Sequence, residues 1–231
     1  MMLLRRNFSR RTTAELLRLA LPMVVSQGTF AVMIFTDRYF MSQIDPVHMA
    51  AALGGGVASF FSFCFFIGLF SYANALSAQY LGAGEPEKCP KVVTQGIIMT
   101  AMSAPFLTLI TFLVAGIFEG MGHEPAQVDL ERTYYLILMS GVLVTLAKTC
   151  VSSYFAGIGR TYVVMICDVF GLVINIPLCY VMVFGKMGFP ALGIVGAGIS
   201  TVIATFLAFL LFVAFYFHKE HRDKFSVMHS F

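Results

Sequence analysis

The residues of this chain most able to do chemistry are a carboxylate, an amide and a hydroxyl that lie inside long apolar segments. Asp37 falls within the first such segment, in AVMIFTDRYFMSQ, Asn175 within the fifth and Thr201 within the sixth. A carboxylate at the centre of a bilayer costs about 2.5 to 3.5 kcal/mol, so Asp37 either stays close to water or has a function. The oxygens of the three side chains are hard donors that suit Na⁺ or a shared proton. The alternative is a network of hydrogen bonds between helices that holds no ion.

The helical period groups other residues with these three. Cys179 and Asp168 lie one turn after and two turns before Asn175, on one stripe of the fifth segment. Because a buried amide and carboxylate are costly against lipid, this stripe should face protein or water. The face of the first segment that carries Asp37 also holds Ser26, Phe30, Met33 and Ile34.

Two further residues inside the apolar segments leave alternatives open. Lys148 lies about two turns from the cytoplasmic end of the fourth segment, where it either extends to the surface or neutralises Asp168, and we expect the former. Pro22 removes a backbone hydrogen bond within the first segment, which favours either a hinge or a static bend.

The chain that carries these residues has the composition of a membrane protein. Of its 231 residues, 58% are hydrophobic and only 12% are charged, and its mean hydropathy is +0.84, whereas soluble domains carry about 25% charged residues. Apolar segments long enough to cross a hydrocarbon core of about 30 Å recur six times, which predicts an all-α integral membrane fold. The predicted spans are 14–44, 47–81, 91–118, 131–156, 162–185 and 193–217, flanked by cytoplasmic segments at 1–13 and 218–231.

The placement of basic residues predicts the orientation of these spans. Arginines and lysines concentrate before the first span, in the second and fourth breaks and after the last span, while the other three breaks hold at most one each. By the positive-inside rule both termini are cytoplasmic, in a multi-pass protein of the inner cell membrane. The apolar segment after the basic start has no small-residue cleavage site, so we predict a retained anchor rather than a signal peptide.

Several other classes of protein are disfavoured. The basic ends are explained by topology, so no nucleic-acid partner is predicted. The five cysteines are scattered without a CxxC pair, which supports neither a disulfide framework nor a zinc site. No His/Glu metal motif, acid pair or nucleotide-binding loop appears, so we predict that the chain is not an enzyme and has no cofactor other than a coupling ion.

Six fragments of the sequence resemble the multidrug and toxic compound extrusion (MATE) family of cation-coupled antiporters. They are LALPMVVSQ and TDRYFMSQI in the first span, ALSAQYLGAGE at the second break, FAGIGRT at the fourth, NIPLCYVMVFG in the fifth span and ALGIVGAGIST at the start of the sixth. The resemblance implies that residues 14–217 form one six-helix lobe of a twelve-helix, two-lobe transporter. It also implies that 218–231 begin the link to a second lobe, which the rest of a longer chain or a second copy would supply.

The resemblance further implies export of amphipathic or cationic small molecules, driven by inward Na⁺ or H⁺, in contact with membrane lipid. Asp37 would bind the cation together with Asn175 and Thr201, and Na⁺ is the metal ion that this set would hold. Some family members carry a second carboxylate where this chain has Cys179, which leaves Asp37 as the only acid of the group. Candidates for the substrate chamber or a relay are Gln27, Met33, Asp168 and Lys148, and Pro22 is the candidate hinge.

Two other functions compete with export. A lipid-linked oligosaccharide flippase of the same superfamily would need a more cationic cavity for pyrophosphate, and only Arg38 and Lys148 are candidates for it. A half-length membrane scaffold without transport activity is the other alternative.

Overall fold

The computed structural model describes residues 10–218, with side chains from residue 13 onward. The predicted segments at 1–13 and 218–231 therefore lie almost wholly outside the described residues. Within the described range the chain forms helices and turns and no strand. The helices are α1 (Arg10–Ser42), α2 (Pro46–Ser71), α3 (Ala73–Gly82), α4 (Cys89–Ile117), α5 (Pro125–Ser140), α6 (Val142–Gly157), α7 (Thr161–Phe184) and α8 (Ile194–Phe217), with short 3-10 turns at Pro86–Lys88 and Phe118–Gly120.

The helices confirm the predicted all-α membrane fold. Five helical stretches of the described chain are long and apolar enough to cross a membrane, and α5 and α6 together make a sixth span that is bent by 48°. Phenylalanines and leucines cover much of their outer surface, as expected where lipid replaces water. The exact limits of the membrane on each span stay a prediction.

The sequence predicts a single span at 131–156. The structure instead has a bend within it, between α5 and α6. It falls at Gly141, whose backbone departs from helical angles at φ −92° and ψ 1°. A Cβ at this position would approach two methyl groups of Val202 on α8 to 2.9 Å. Gly141 thus allows α8 to pack directly against the break.

Packing within the lobe brings the chemically active helices together. α7 packs along both α1 and α8, and α5 lies against α2 and α8. The contact between α7 and α8 is close at Gly196, where an added Cβ would come within 2.7 Å of the backbone of Met182. Helix–helix contacts in membranes depend on such small residues, because they let backbones approach.

A capped turn joins α1 to α2. Asp45 is the N-cap of α2, and its carboxylate accepts a 2.7 Å hydrogen bond from the backbone N–H of His48. The His48 ring lies 2.9 Å from the same carboxylate. These bonds, the backbone one first, hold the pKa of Asp45 below its ordinary value of 3.8.

Candidate functional site

Three of the predicted site residues meet where α1, α7 and α8 converge. Thr201 Oγ1 on α8 donates a 2.9 Å hydrogen bond to Asp37 Oδ2 on α1. Asn175 Nδ2 on α7 donates to the same threonine oxygen at 3.3 Å. Thr201 therefore links the carboxylate to the amide, and the structure brings together the residues that the sequence grouped by chemical type and by the family resemblance. Their role in binding a cation stays a prediction.

The outer cluster, as we call Asp37, Asn175 and Thr201, has oxygen atoms in excess of donors. Asp37 is 5% exposed and Asn175 is fully buried. Asp37 Oδ1 and Asn175 Oδ1 receive no hydrogen bond of ordinary geometry from any described residue. The thiol of Cys179, a weak donor, lies against the Asp37 carboxylate and is fully buried. This donor set, one carboxylate and neutral oxygens, fits a monovalent hard cation or a proton on Asp37.

A cavity of about 400 Å³ opens beside the outer cluster. Asp37 and Arg38 lie on its wall, and Met33 also faces it, as predicted from the helical period. Its size falls in the usual range for sites that hold drug-sized molecules. The apolar part of the wall is formed by Phe30, Met33, Ile34, Val57, Phe60, Phe63 and Leu138.

A second group of polar residues lies on α1, α6 and α7, nearer the N-terminal ends of α1 and α7 than the first group. Lys148 Nζ on α6 forms a 2.7 Å ion pair with Asp168 Oδ1 on α7. Ser26 on α1 donates a hydrogen bond to the other oxygen of this carboxylate. We call Ser26, Lys148 and Asp168 the inner cluster. The expectation that Lys148 extends to the membrane surface is wrong, because its ammonium group is held inside the lobe by Asp168.

The inner cluster borders its own cavity, of about 140 Å³. Gln27 lines this smaller cavity with Lys148 and Asp168, so three of the four predicted chamber or relay residues meet here. Met33, the fourth, lines both cavities. Phe30, Met33 and Thr205 are common to the two walls, so the cavities adjoin each other.

Pro22, the predicted hinge, lies inside α1 at a half-buried position. The helix continues through it from Arg10 to Ser42. Bending at this point stays a prediction.

A buried acid near the start of α5 is not among the residues predicted from the sequence. Glu131 on α5 is 1% exposed; its carboxylate accepts a 2.7 Å hydrogen bond from Gln127 and lies 3.1 Å from His123 Nδ1. An added Cβ at Gly54 of α2 would come within 2.5 Å of this carboxylate. The spacing of His123, Gln127 and Glu131 at every fourth residue was the available signal. It is obscured because the predicted span begins at 131, which separates Glu131 from His123 and Gln127 in the preceding break.

Membrane-spanning helices around adjoining amphipathic cavities with buried charges are features of the membrane transporter class. Residues 22–181, more than half of the chain, match the family model described as MatE. The chain belongs to this family, which confirms the resemblance seen in the sequence.

Relatives found by sequence similarity agree with this family membership. The chain is 29% identical over 213 residues to the multidrug resistance protein NorM of Vibrio vulnificus, covering 92% of the chain and 46% of that protein. It is 26% identical to the probable multidrug resistance protein NorM of Bacillus subtilis, over 92% of the chain and 47% of the relative. The chain therefore spans about half the length of these relatives.

Solved structures show the same fold. A MOP superfamily transporter from Pyrococcus furiosus superposes with a TM-score of 0.78 at 20% identity, over 90% of this chain and 45% of that one. The eukaryotic MATE transporter AtDTX14 superposes with a TM-score of 0.80 at 19% identity, over 93% and 48%. The chain thus has the fold of one six-helix lobe of these two-lobe proteins.

Proposed function

We propose that this chain is a lobe of a cation-coupled antiporter that exports amphipathic or cationic small molecules. The single observation that carries the proposal is the pair of buried oxygens, Asp37 Oδ1 and Asn175 Oδ1, that accept no ordinary hydrogen bond from the described residues. A buried polar atom without a partner costs about 1 to 3 kcal/mol. A bound Na⁺, or a proton on Asp37, offsets that cost.

Coupling follows from the position of Asp37 on the wall of the larger cavity. An ionised Asp37 offers a negative charge to a cationic substrate. A cation that binds the outer cluster neutralises that charge and lowers the affinity of the cavity for the substrate. Because each ligand binds best when the other is absent, inward movement of the ion drives outward release of the substrate.

The walls of the larger cavity support amphipathic substrates. Phe60 and Phe63 of α2 and Phe30 of α1 add aromatic surface to the cavity wall that carries Asp37. An aromatic or aliphatic body would lie against this surface while a positive group faces the carboxylate. The relatives named multidrug resistance proteins agree with a cavity of this kind.

Cation binding by the purified chain in lipid nanodiscs tests the proposal. Equilibrium binding of ²²Na⁺ at fixed pH, and proton release on Na⁺ addition, distinguish the two ions. We expect Asp37→Asn to weaken cation binding at least roughly tenfold, because a charged ligand is replaced by a neutral one. Asp129 on α5 is exposed, so Asp129→Asn is the matched control and should bind cations as the wild type does. Equal cation binding by Asp37→Asn and wild type would contradict the mechanism.

Transport itself requires a second lobe, since the chain covers about half of its named relatives. We propose that either a further part of a longer polypeptide or a second copy of this lobe completes the chamber. Chemical crosslinking of the purified chain in proteoliposomes separates the two sources. A crosslinked dimer that exchanges fluorescent cations supports a second copy, and an inactive monomer supports a longer polypeptide.

A further inference from the structure

We propose that the Lys148–Asp168 pair recognises amphipathic zwitterions of the α-amino-acid type, with the ligand carboxylate bound by Lys148 and the ligand ammonium group by Asp168. This inference rests on the proposed export function, because it names a class of substrate for the same lobe. It uses residues separate from the outer cluster.

Lys148 and Asp168 present opposite charges side by side at the edge of a cavity. Lys148 Nζ and Asp168 Oδ1 are 2.7 Å apart, and the two side chains are 26% and 14% exposed. Both line the smaller cavity. Both side chains therefore border a cavity, although Asp168 Oδ1 itself is buried. A ligand there meets a positive and a negative group side by side.

The two charges of the pair balance each other, so a ligand has to replace both. A ligand with only a positive group would displace Lys148 from Asp168 and leave the ammonium group without a partner inside the lobe. A ligand with only a negative group would leave Asp168 without its lysine. Because both side chains lie largely inside the lobe, breaking the pair from one side is unfavourable. A zwitterion replaces both partners at once, because its own charges are as close together as those of the pair.

Lys148 cannot reach the end of its helix to find a partner other than Asp168. It lies nine residues before Gly157, the last residue of α6, which is about 13.5 Å along the helix axis. The ammonium group cannot cross that distance on its own stem, so it needs a partner within the lobe. Ser26 donates to the second oxygen of Asp168, which holds the carboxylate in place while the partner changes.

The two adjoining cavities can hold different parts of one ligand. The smaller cavity, at about 140 Å³, has room for the charged head group. Phe30 and Met33 form a common wall with the larger cavity of about 400 Å³. An aromatic or aliphatic body attached to the head group would extend into that larger cavity. The ligand class is therefore amphipathic.

Three dansyl probes that differ only in their charged groups test the inference. Nε-dansyl-lysine carries both the ammonium and the carboxylate, dansylcadaverine lacks the carboxylate, and 6-(dansylamino)hexanoate lacks the ammonium. Fluorescence titration of the full chain in nanodiscs, in potassium buffer without Na⁺, gives the three affinities. We expect the wild type to bind the zwitterion at least roughly tenfold more tightly than either other probe, as expected for one charged hydrogen bond.

Variants of the pair should change the order of the probes in opposite directions. Lys148→Met should prefer dansylcadaverine, and Asp168→Asn should prefer the hexanoate, each by roughly tenfold. If a single variant fails to fold, Lys148→Met/Asp168→Asn removes both charges together and should lose the preference for the zwitterion. Matched controls are Lys186→Met and Asp129→Asn, both exposed and away from the cavities; they should keep the wild-type order.

The inference is overturned if the wild type binds the three probes equally or not at all, or if the double variant keeps the preference for the zwitterion. A structural ion pair between α6 and α7 would change folding without reversing the order of the probes. Each of the two proposals can be refuted without affecting the other. Na⁺ binding at Asp37 is measured without dye, and the order of the probes is measured without Na⁺.

Discussion

Each carboxylate on the cavity walls is held by residues far away in the chain. Thr201 donates to Asp37 across 164 residues, and Ser26 donates to Asp168 across 142. The helix that carries an acid therefore does not by itself fix the acid's surroundings. A substitution on α8 should consequently alter the behaviour of Asp37 on α1.

Thr201→Val tests this coupling at the level of one hydroxyl. The substitution keeps the shape of the side chain and removes the hydrogen bond to Asp37 and the acceptor for Asn175. We expect the free energy of unfolding to fall by about 1 to 3 kcal/mol, because two buried groups lose their partner. Thermal unfolding in nanodiscs measures the change. Thr205→Val, one turn later, is the matched control, because the Thr205 hydroxyl donates only to the backbone oxygen of Thr201. An equal loss of stability in both variants would argue against a special role for Thr201.

Asp45 should make the start of α2 sensitive to acid. Its pKa is lowered in the folded chain, so its stabilising effect is complete above the unfolded value of about 3.9 and is lost as the pH falls through the lower folded value. Asp45→Asn keeps a good N-cap but cannot titrate in this range. We expect hydrogen exchange at 46–49 to accelerate below about pH 4 in the wild type, and the acceleration to be smaller in Asp45→Asn. The same acid response in both proteins would show that another group is responsible.

At the scale of elements, glycine positions decide how closely helices approach. Gly196 brings α8 against the backbone of α7 at Met182, and Gly141 admits Val202 of α8 at the break between α5 and α6. These contacts place Thr201 and Asn175 at hydrogen-bonding distance on their two helices. The geometry of the outer cluster therefore depends on glycines, which have no functional side chain.

Gly196→Ala should separate α7 from α8. The added Cβ would lie 2.7 Å from backbone atoms of Met182, which cannot rotate away. We expect a loss of about 1 to 3 kcal/mol in the free energy of unfolding, typical of overpacking, and weaker cation binding because the distance from Asn175 to Thr201 grows. Gly68→Ala on α2 has no atom within 4 Å of the added Cβ and is the matched control. It should be neutral or slightly stabilising, since alanine favours helices; destabilisation by Gly68→Ala would instead point to a general intolerance of the lobe to added volume.

At the scale of the whole molecule, the chain is one lobe whose charges are distributed unevenly between its two ends. Lys88 and Arg160 lie in breaks at one end, and Lys186 lies at the other. Lys88 is paired with Glu85 at 2.8 Å, and this pair raises the pKa of the lysine. Lys88 therefore carries a positive charge at neutral pH.

Reporter fusions should establish the orientation of the lobe. With both termini cytoplasmic, a fluorescent protein fused after Gly84 follows two spans and should fold and fluoresce in the cytoplasm. Alkaline phosphatase fused after Gly188 follows five spans and should be active outside the inner membrane. Exchange of the two reporters between the sites is the control and should give little signal. The reverse pattern would mean that the termini lie outside.

The sequence by itself determined the membrane fold and the membership of the family. Apolar runs long enough to cross a bilayer must form helices there, because the backbone finds no other hydrogen-bond partners in lipid. The sequence also indicated Asp37, Asn175 and Thr201, since polar groups in such runs are rare enough to stand out.

Only the tertiary structure decided which of these polar groups meet. The periodicity of one helix shows which residues share its face, but not which other helix lies opposite. The expected extension of Lys148 toward the surface was wrong for this reason, because Asp168 of α7 lies within reach of its ammonium group. The burial of Glu131 and the bend at Gly141 likewise depend on how α2 and α8 pack against α5 and α6. Such contacts join residues far apart in the chain, and their geometry follows from the packing of all the helices together.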